Sequence, residues 1–180
     1  MPDSGQMRQT ARAIFHHALA EASIARGFAR HVHCERGILR ICDDLYDLHL
    51  YSRVLVVALG KAGHTMVEAL SHQVGASLEG LVASSVQPAT QVHGFRYFRG
   101  GHPTPNAESI QAASAMLRAL EAQPASALVI FLLSGGGSSI VEEPIDDEIS
   151  LDDLIATYRA LVLSGAKLGW LRMLKYSTRS

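Results

Sequence analysis

The sequence predicts an α/β layered domain with a mostly parallel sheet and helices on both faces. Two apolar runs carry that prediction, Val54-Leu55-Val56-Val57-Ala58-Leu59 and Ala127-Leu128-Val129-Ile130-Phe131-Leu132-Leu133. Each is too short for a typical helix, and the second reads as a buried strand. Each also ends in glycine, and segments of helical periodicity alternate with the strand candidates, the pattern of strands covered on both faces. At 180 residues with 48% hydrophobic content, the chain can bury a real core, and its length favours one domain or a domain with an appendage.

The elements follow in order. Residues from about Gln6 to Arg26 read as one amphipathic helix, with Ile14, Phe15, Ala18, Leu19 and Ala22 on one face and Gly27 as its stop. Its expected task is to cover the sheet. Ile38-Leu39-Arg40-Ile41 is a short strand candidate, followed by a turn at Asp43-Asp44. The strand at 54–59 leads into a helix through Met66, Leu70 and Val74, ending near Gly75. Further strands are expected from about Gly80 to Val86 and from Gly94 to Phe98. A loop rich in glycine and proline, 100–109, gives Thr104 or Asn106 as the cap of the next helix, whose apolar face is Ile110, Ala113, Met116, Leu117 and Leu120. After the strand at 127–133, Ser150 with Asp152 and Asp153 begins a final helix that runs to Leu163, before Ser164-Gly165.

Composition excludes several classes of function. The net charge is −1, from 16 Lys+Arg against 17 Asp+Glu, and the body carries no basic block, so nucleic acid is not an expected partner. The apolar runs fall far short of the roughly 20 residues that span a bilayer. Arg8, Arg12, His16 and His17 interrupt any secretory signal at the start, so a cytoplasmic location is expected. Cys34 and Cys42 do not amount to a disulfide framework. His31, His33 and Cys34 form a tight cluster, expected on a short helix, but no second ligand pair stands at a familiar spacing and no metal site is assigned.

Two glycine loops carry the functional signal. Ser134-Gly135-Gly136-Gly137-Ser138-Ser139 follows the strand at 127–133 and would let backbone N–H and hydroxyl groups converge on a small anion. Gly60-Lys61-Ala62-Gly63 follows the strand at 54–59, with Lys61 expected in the first helical turn. The helix dipole disfavours a cation there, and the helix offers no acidic residue before Glu68, so a bound phosphate or carboxylate is one answer and a solvated lysine the other. Between them, Gly100-Gly101-His102-Pro103-Thr104-Pro105-Asn106 holds His102 either in a cleft or on a rigid connector. Leu55 and Ala62 rule out a Walker A loop, Leu132 and Ile140 rule out a nucleophile elbow, and Ile140 breaks the dinucleotide fingerprint.

The ordered set Gly60-Lys61-Ala62 with Met66, Gly101-His102-Pro103 with Pro105, Ser134-Gly135-Gly136-Gly137-Ser138 with Pro144, and Ser164-Gly165-Ala166 resembles the amino-terminal domain of glycerate 2-kinases of the MOFRL type, over roughly residues 8–166. The resemblance implies a Rossmann-like domain at 1–166 and transfer of the γ-phosphoryl group of ATP to D-glycerate, giving 2-phosphoglycerate, with Mg²⁺ on the phosphates. It implies Lys61 as the catalytic lysine, and Gly60, His102, Ser134, Gly135, Gly136, Gly137 and Ser138 as substrate or phosphate contacts. Asn106 stands where the family has Asp, which keeps a cap and removes a charge. Residues 167–180 depart from the family pattern as a basic tail, which reads as a truncation point with the second domain absent; self-association through the surface left bare would follow. The alternatives are a non-catalytic remnant or small-anion-binding module, and a hydroxypyruvate reductase, a label some members carry and the missing fingerprint does not support.

Overall fold

The computed structural model describes residues 3–75, 78–135, 137–146 and 148–164. Two helices open the chain, α1 (Ser4–Glu21) and α2 (Ile24–His31), followed by three short strands, β1 (Val32–Glu35), β2 (Ile38–Ile41) and β3 (Asp44–Asp47). These three pair antiparallel in the order β1-β2-β3. The rest alternates as β4 (Arg53–Leu59), α3 (Gly63–Val74), β5 (Glu79–Ser84), β6 (Phe95–Arg99), α4 (Ala107–Glu121), β7 (Ala127–Leu133) and α5 (Leu151–Leu163). Their four strands form one parallel sheet in the order β6-β5-β4-β7. The expected α/β layered fold is thus present, with a small antiparallel sheet added.

Strand periodicity of two sorts the core into two layers. Val56 and Ala58 of β4 face one side, where they join Val67 and Leu70 of α3 with Val32 and Leu39 of the small sheet. Leu55 and Val57 face the other, against Ala112, Ala115 and Met116 of α4 and the fully buried Ile140. The buried face of α4 is therefore built mostly from small side chains; Ala113 and Met116 lie in it as expected, while Leu117 turns outward. Asn106 caps α4, its side-chain oxygen accepting from the Ser109 N–H at 2.9 Å. Gly75, at φ +68°, closes α3 in the left-handed conformation that glycine adopts without strain.

Several expectations need correcting. The first helix is two helices, because Ser23 starts a new one by accepting from the Arg26 N–H at 3.4 Å, and Gly27 lies inside α2 rather than ending a helix. None of α1 is buried among the described residues: Ile14 is 64% and Phe15 63% exposed, since α3 and α4 already cover the two faces of the sheet. The turn after β2 falls at Cys42-Asp43, one residue earlier than expected, and His33 and Cys34 lie on β1, not on a helix. β5 ends at Ser84, two residues before Val86. Finally β7 is an end strand of the sheet rather than a buried one, leaving Phe131 50% and Leu133 65% exposed. Among the described residues, no helix is long and apolar enough to cross a membrane.

Candidate functional site

All four parallel strands deliver their carboxyl ends to the same edge of the sheet. From β4 the chain moves to β5 and β6 on one side, whereas β7 returns on the other. The loops leaving β4 and β7 therefore part at the point where the strand order reverses, which is where open α/β sheets form a crevice. The two glycine loops of the sequence are these two loops.

Ser134 clasps them together. Its N–H donates to the Leu59 carbonyl at 2.9 Å, its hydroxyl donates to the same carbonyl at 3.2 Å, and the Ala62 N–H donates to that hydroxyl at 3.1 Å. The Ser134 hydroxyl, expected to face an anion, thus works within the fold. Gly60 makes the close approach possible: at φ +101°, a Cβ there would lie 2.3 Å from Ser134 Oγ and 2.7 Å from its carbonyl oxygen. The Gly60 N–H donates across to Ala83 of β5 at 3.0 Å.

Lys61 sits in the turn that leads into α3 rather than in its first helical turn, since Ala62 is the N-cap residue and Gly63 the first helical one. Its carbonyl accepts from the buried Ser84 hydroxyl at 3.4 Å, which fixes the backbone while the side chain is exposed. Among the described residues its ammonium group has no ion-pair partner; Glu68 instead approaches His64 at 3.2 Å, and His64 Nδ1 lies 2.9 Å from the Tyr97 hydroxyl. That hydroxyl, which also accepts from the Val92 N–H, is held above its ordinary pKa chiefly by burial.

The glycine loop after β7 is pinned on its far side. Ser109, fully buried, donates its hydroxyl to the Ser139 carbonyl at 2.7 Å and accepts from the Gly101 N–H at 2.9 Å. One side chain therefore joins the loop at 100–106 to the loop at 134–142. The same junction brings His102 across, its Nδ1 lying 3.4 Å from Ser139 Oγ, and the His102-Pro103 peptide is cis. His102 itself is exposed. A Cβ at Gly100 would stand 2.1 Å from the Ile140 carbonyl oxygen, so the two backbones touch there.

Between these anchors Gly135 and Gly137 face open space. A Cβ at Gly135 or Gly137 would meet nothing within 4 Å, and neither has the left-handed φ that demands glycine. Neither packing nor backbone conformation requires glycine at these two positions. Ser138 is exposed, and Gly136 lies outside the described residues, as does the tail at 167–180. Sequence reasoning missed Ser84, Ser109, Glu142 and Tyr158, and read Ser139 as part of the glycine loop without its link to Ser109 and His102. Of the four, only Ser109 left a trace, three residues after the capping Asn106 in the spacing of a capping box.

The arrangement offers the exposed Lys61, a helix start and open space beside Gly135 and Gly137 at the same edge of the sheet, a set suited to a small anion or a phosphate group. Among the described residues no group of three His, Cys, Asp or Glu side chains gathers to hold a metal ion.

Known proteins share this architecture. The D-glycerate 2-kinase of Thermotoga maritima is 32% identical over 128 residues, 70% of this chain and 30% of that protein. A crystal structure of a Pyrococcus horikoshii protein superposes with a TM-score of 0.74 at 27% identity, and one of a glycerate kinase from Thermotoga maritima with 0.69 at 26%; each match covers 91% of this chain and 36% of the other. The chain spans about a third of the length of these relatives. On a match that reaches from within α1 to beyond α5, residues 10–174, the chain belongs to the family described as a domain of unknown function (DUF4147).

Proposed function

We propose that this chain supplies one wall of the active site of an ATP-dependent glycerate 2-kinase, which phosphorylates D-glycerate to 2-phosphoglycerate. The observation that carries the reading is the junction of the Gly60-Lys61 turn with the open-faced loop at 134–138, across the crevice between β4 and β7. The name of the Thermotoga maritima D-glycerate 2-kinase, and that of the glycerate kinase crystal structure from the same organism, support the choice of substrate.

Phosphoryl transfer needs positioning and charge stabilisation more than covalent chemistry. In this reading the amides around Gly135 and Gly137 orient an anionic group, and Lys61 places its charge on the oxygens of the transferred phosphoryl group. His102, which borders the same loop through Ser139, meets the glycerate in this reading. Mg²⁺ would enter with the nucleotide and supply positive charge to its phosphates.

The test is ADP release dependent on D-glycerate, measured on this chain fused to the part of the Thermotoga relative that it does not match. Turnover supports the kinase. Binding of ATP or D-glycerate without ADP release would make the loops a small-anion-binding module, and oxidation of NADH by hydroxypyruvate would replace the kinase with a reductase.

A partner surface belongs to the same proposal. The exposed apolar side chains of α1 (Met7, Ile14, Phe15 and Leu19) and the exposed Phe131 and Leu133 of β7 leave apolar area that favours association. Sedimentation of the 180-residue chain is expected to depend on concentration, and a monomer at every concentration would refute this part.

A further inference from the structure

The loop at 134–142 poses a physical problem that its own residues do not solve. Three consecutive glycines give it a large backbone entropy, and a loop that binds through its amides gains affinity when they are held in one arrangement before the ligand arrives. Its near side is fixed by Ser134. The structure shows what fixes the far side, and part of it comes from a helix that shares no strand with the loop.

Tyr158 is the one buried residue of α5 among those described, and it enters beneath the loop. Its hydroxyl lies 3.0 Å from the Ser138 carbonyl and 2.5 Å from Glu142 Oε2. Glu142 is itself only 2% exposed, and its N–H donates to the Ser109 carbonyl at 3.2 Å. A phenol carries one hydrogen, and the short contact with the carboxylate is the stronger acceptor, with the Ser138 carbonyl at longer range. Burial, and then the bond to Glu142, hold the phenol above its ordinary pKa, so it stays a donor. Along this path α5, Glu142, Ser109 and the last residues of the loop form one hydrogen-bonded unit. Gly135 and Gly137 lie between that unit and the Ser134 clasp, with open space beside them.

We propose that Tyr158, acting with Glu142, is a positioning residue of the anion loop: it sets where the amides of Gly135 and Gly137 meet the anionic substrate, without touching that substrate. The proposal rests on the kinase reading only for the identity of the ligand. The mechanical part stands on the hydrogen bonds alone. It follows that α5, whose one buried residue among those described is Tyr158, reports on the site and can change it.

The experiment uses the 180-residue chain labelled with ¹⁵N, and ATP and D-glycerate as separate probes. Tyr158→Phe keeps the ring in its pocket and removes the hydroxyl. It is expected to move the free-state amide resonances of Gly135 and Gly137 and to weaken whichever probe binds by about tenfold, with the thermal midpoint changed by only a few degrees. Glu142→Gln, which still accepts from the phenol, is expected to bind within about threefold of wild type, while Glu142→Ala falls with Tyr158→Phe. That rescue separates positioning from general support of the fold. If Tyr158→Phe leaves the free-state glycine amides and the affinity as in wild type, the clamp is refuted. If it moves the amides but neither probe perturbs them in the wild-type chain, the clamp stands as structure and its role toward substrate is refuted, while the kinase reading is decided separately by ADP release from the fused enzyme.

Discussion

Gly60→Ala is expected to destabilise the chain by about 3 kcal/mol or more, whereas Gly135→Ala is expected to leave stability unchanged or raise it by up to about 1 kcal/mol. The two glycines stand at the mouths of neighbouring strands but answer to different constraints. At φ +101°, Gly60 occupies a region that alanine enters only with strain, and its Cβ would press on the Ser134 carbonyl oxygen at 2.7 Å, a backbone atom that cannot rotate aside. Relief would mean separating the two loops, with loss of the bonds Ser134 makes to Leu59 and Ala62. Gly135 has neither constraint, and a methyl group there removes freedom mainly from the unfolded chain. That methyl would stand in the space assigned to the ligand, so the same variant should lose affinity for ATP or D-glycerate. Urea unfolding and calorimetry on both variants check the pair; equal stability losses would mean that the glycine loop is packed and not open.

How much of this was legible beforehand differs from element to element for physical reasons. β7 was bounded correctly at both ends, and β4 within one residue, because a continuous apolar run ending in glycine is a signal contained within the segment. The break between α1 and α2 was not legible, because the apolar spacing continues through it and a single serine hydroxyl decides where the new helix begins. β1, β2 and β3 are four residues each, and their pairing is settled by partners elsewhere in the chain. At the site, the glycine loops stood out because strand, glycine and hydroxyl are adjacent in sequence. Their supports did not: Ser109 meets Ser139 over 30 positions, and Tyr158 meets Glu142 over 16. A buried serine or tyrosine is spelled like an exposed one, so only the fold separates them. Lys61 shows the same limit at short range, since the shift from the first helical turn to the preceding one rests on where Ala62 caps the helix.

Lys61→Ala is expected to lower kcat for phosphorylation of D-glycerate by about 10²–10³, the loss typical when a fixed electrostatic contact to the transition state is removed. The geometry makes this substitution unusually clean. The Lys61 backbone is held by Ser84 and by the turn in which the Gly63 N–H donates to the Gly60 carbonyl at 3.0 Å, and neither bond involves the side chain. The side chain is exposed and makes no ion pair among the described residues, so its removal should change stability by less than about 0.5 kcal/mol. Lys61→Arg keeps the charge but replaces a compact ammonium with a broad planar fork, and it should recover only part of the rate. Steady-state kinetics on the fused enzyme separate the possibilities. A fall in kcat with KM for ATP nearly constant places the charge on the transferring phosphoryl group; a rise in KM for D-glycerate with kcat retained places it on the substrate carboxylate. Wild-type values for both parameters would leave Lys61 a solvated surface lysine and remove the cation from the proposed mechanism.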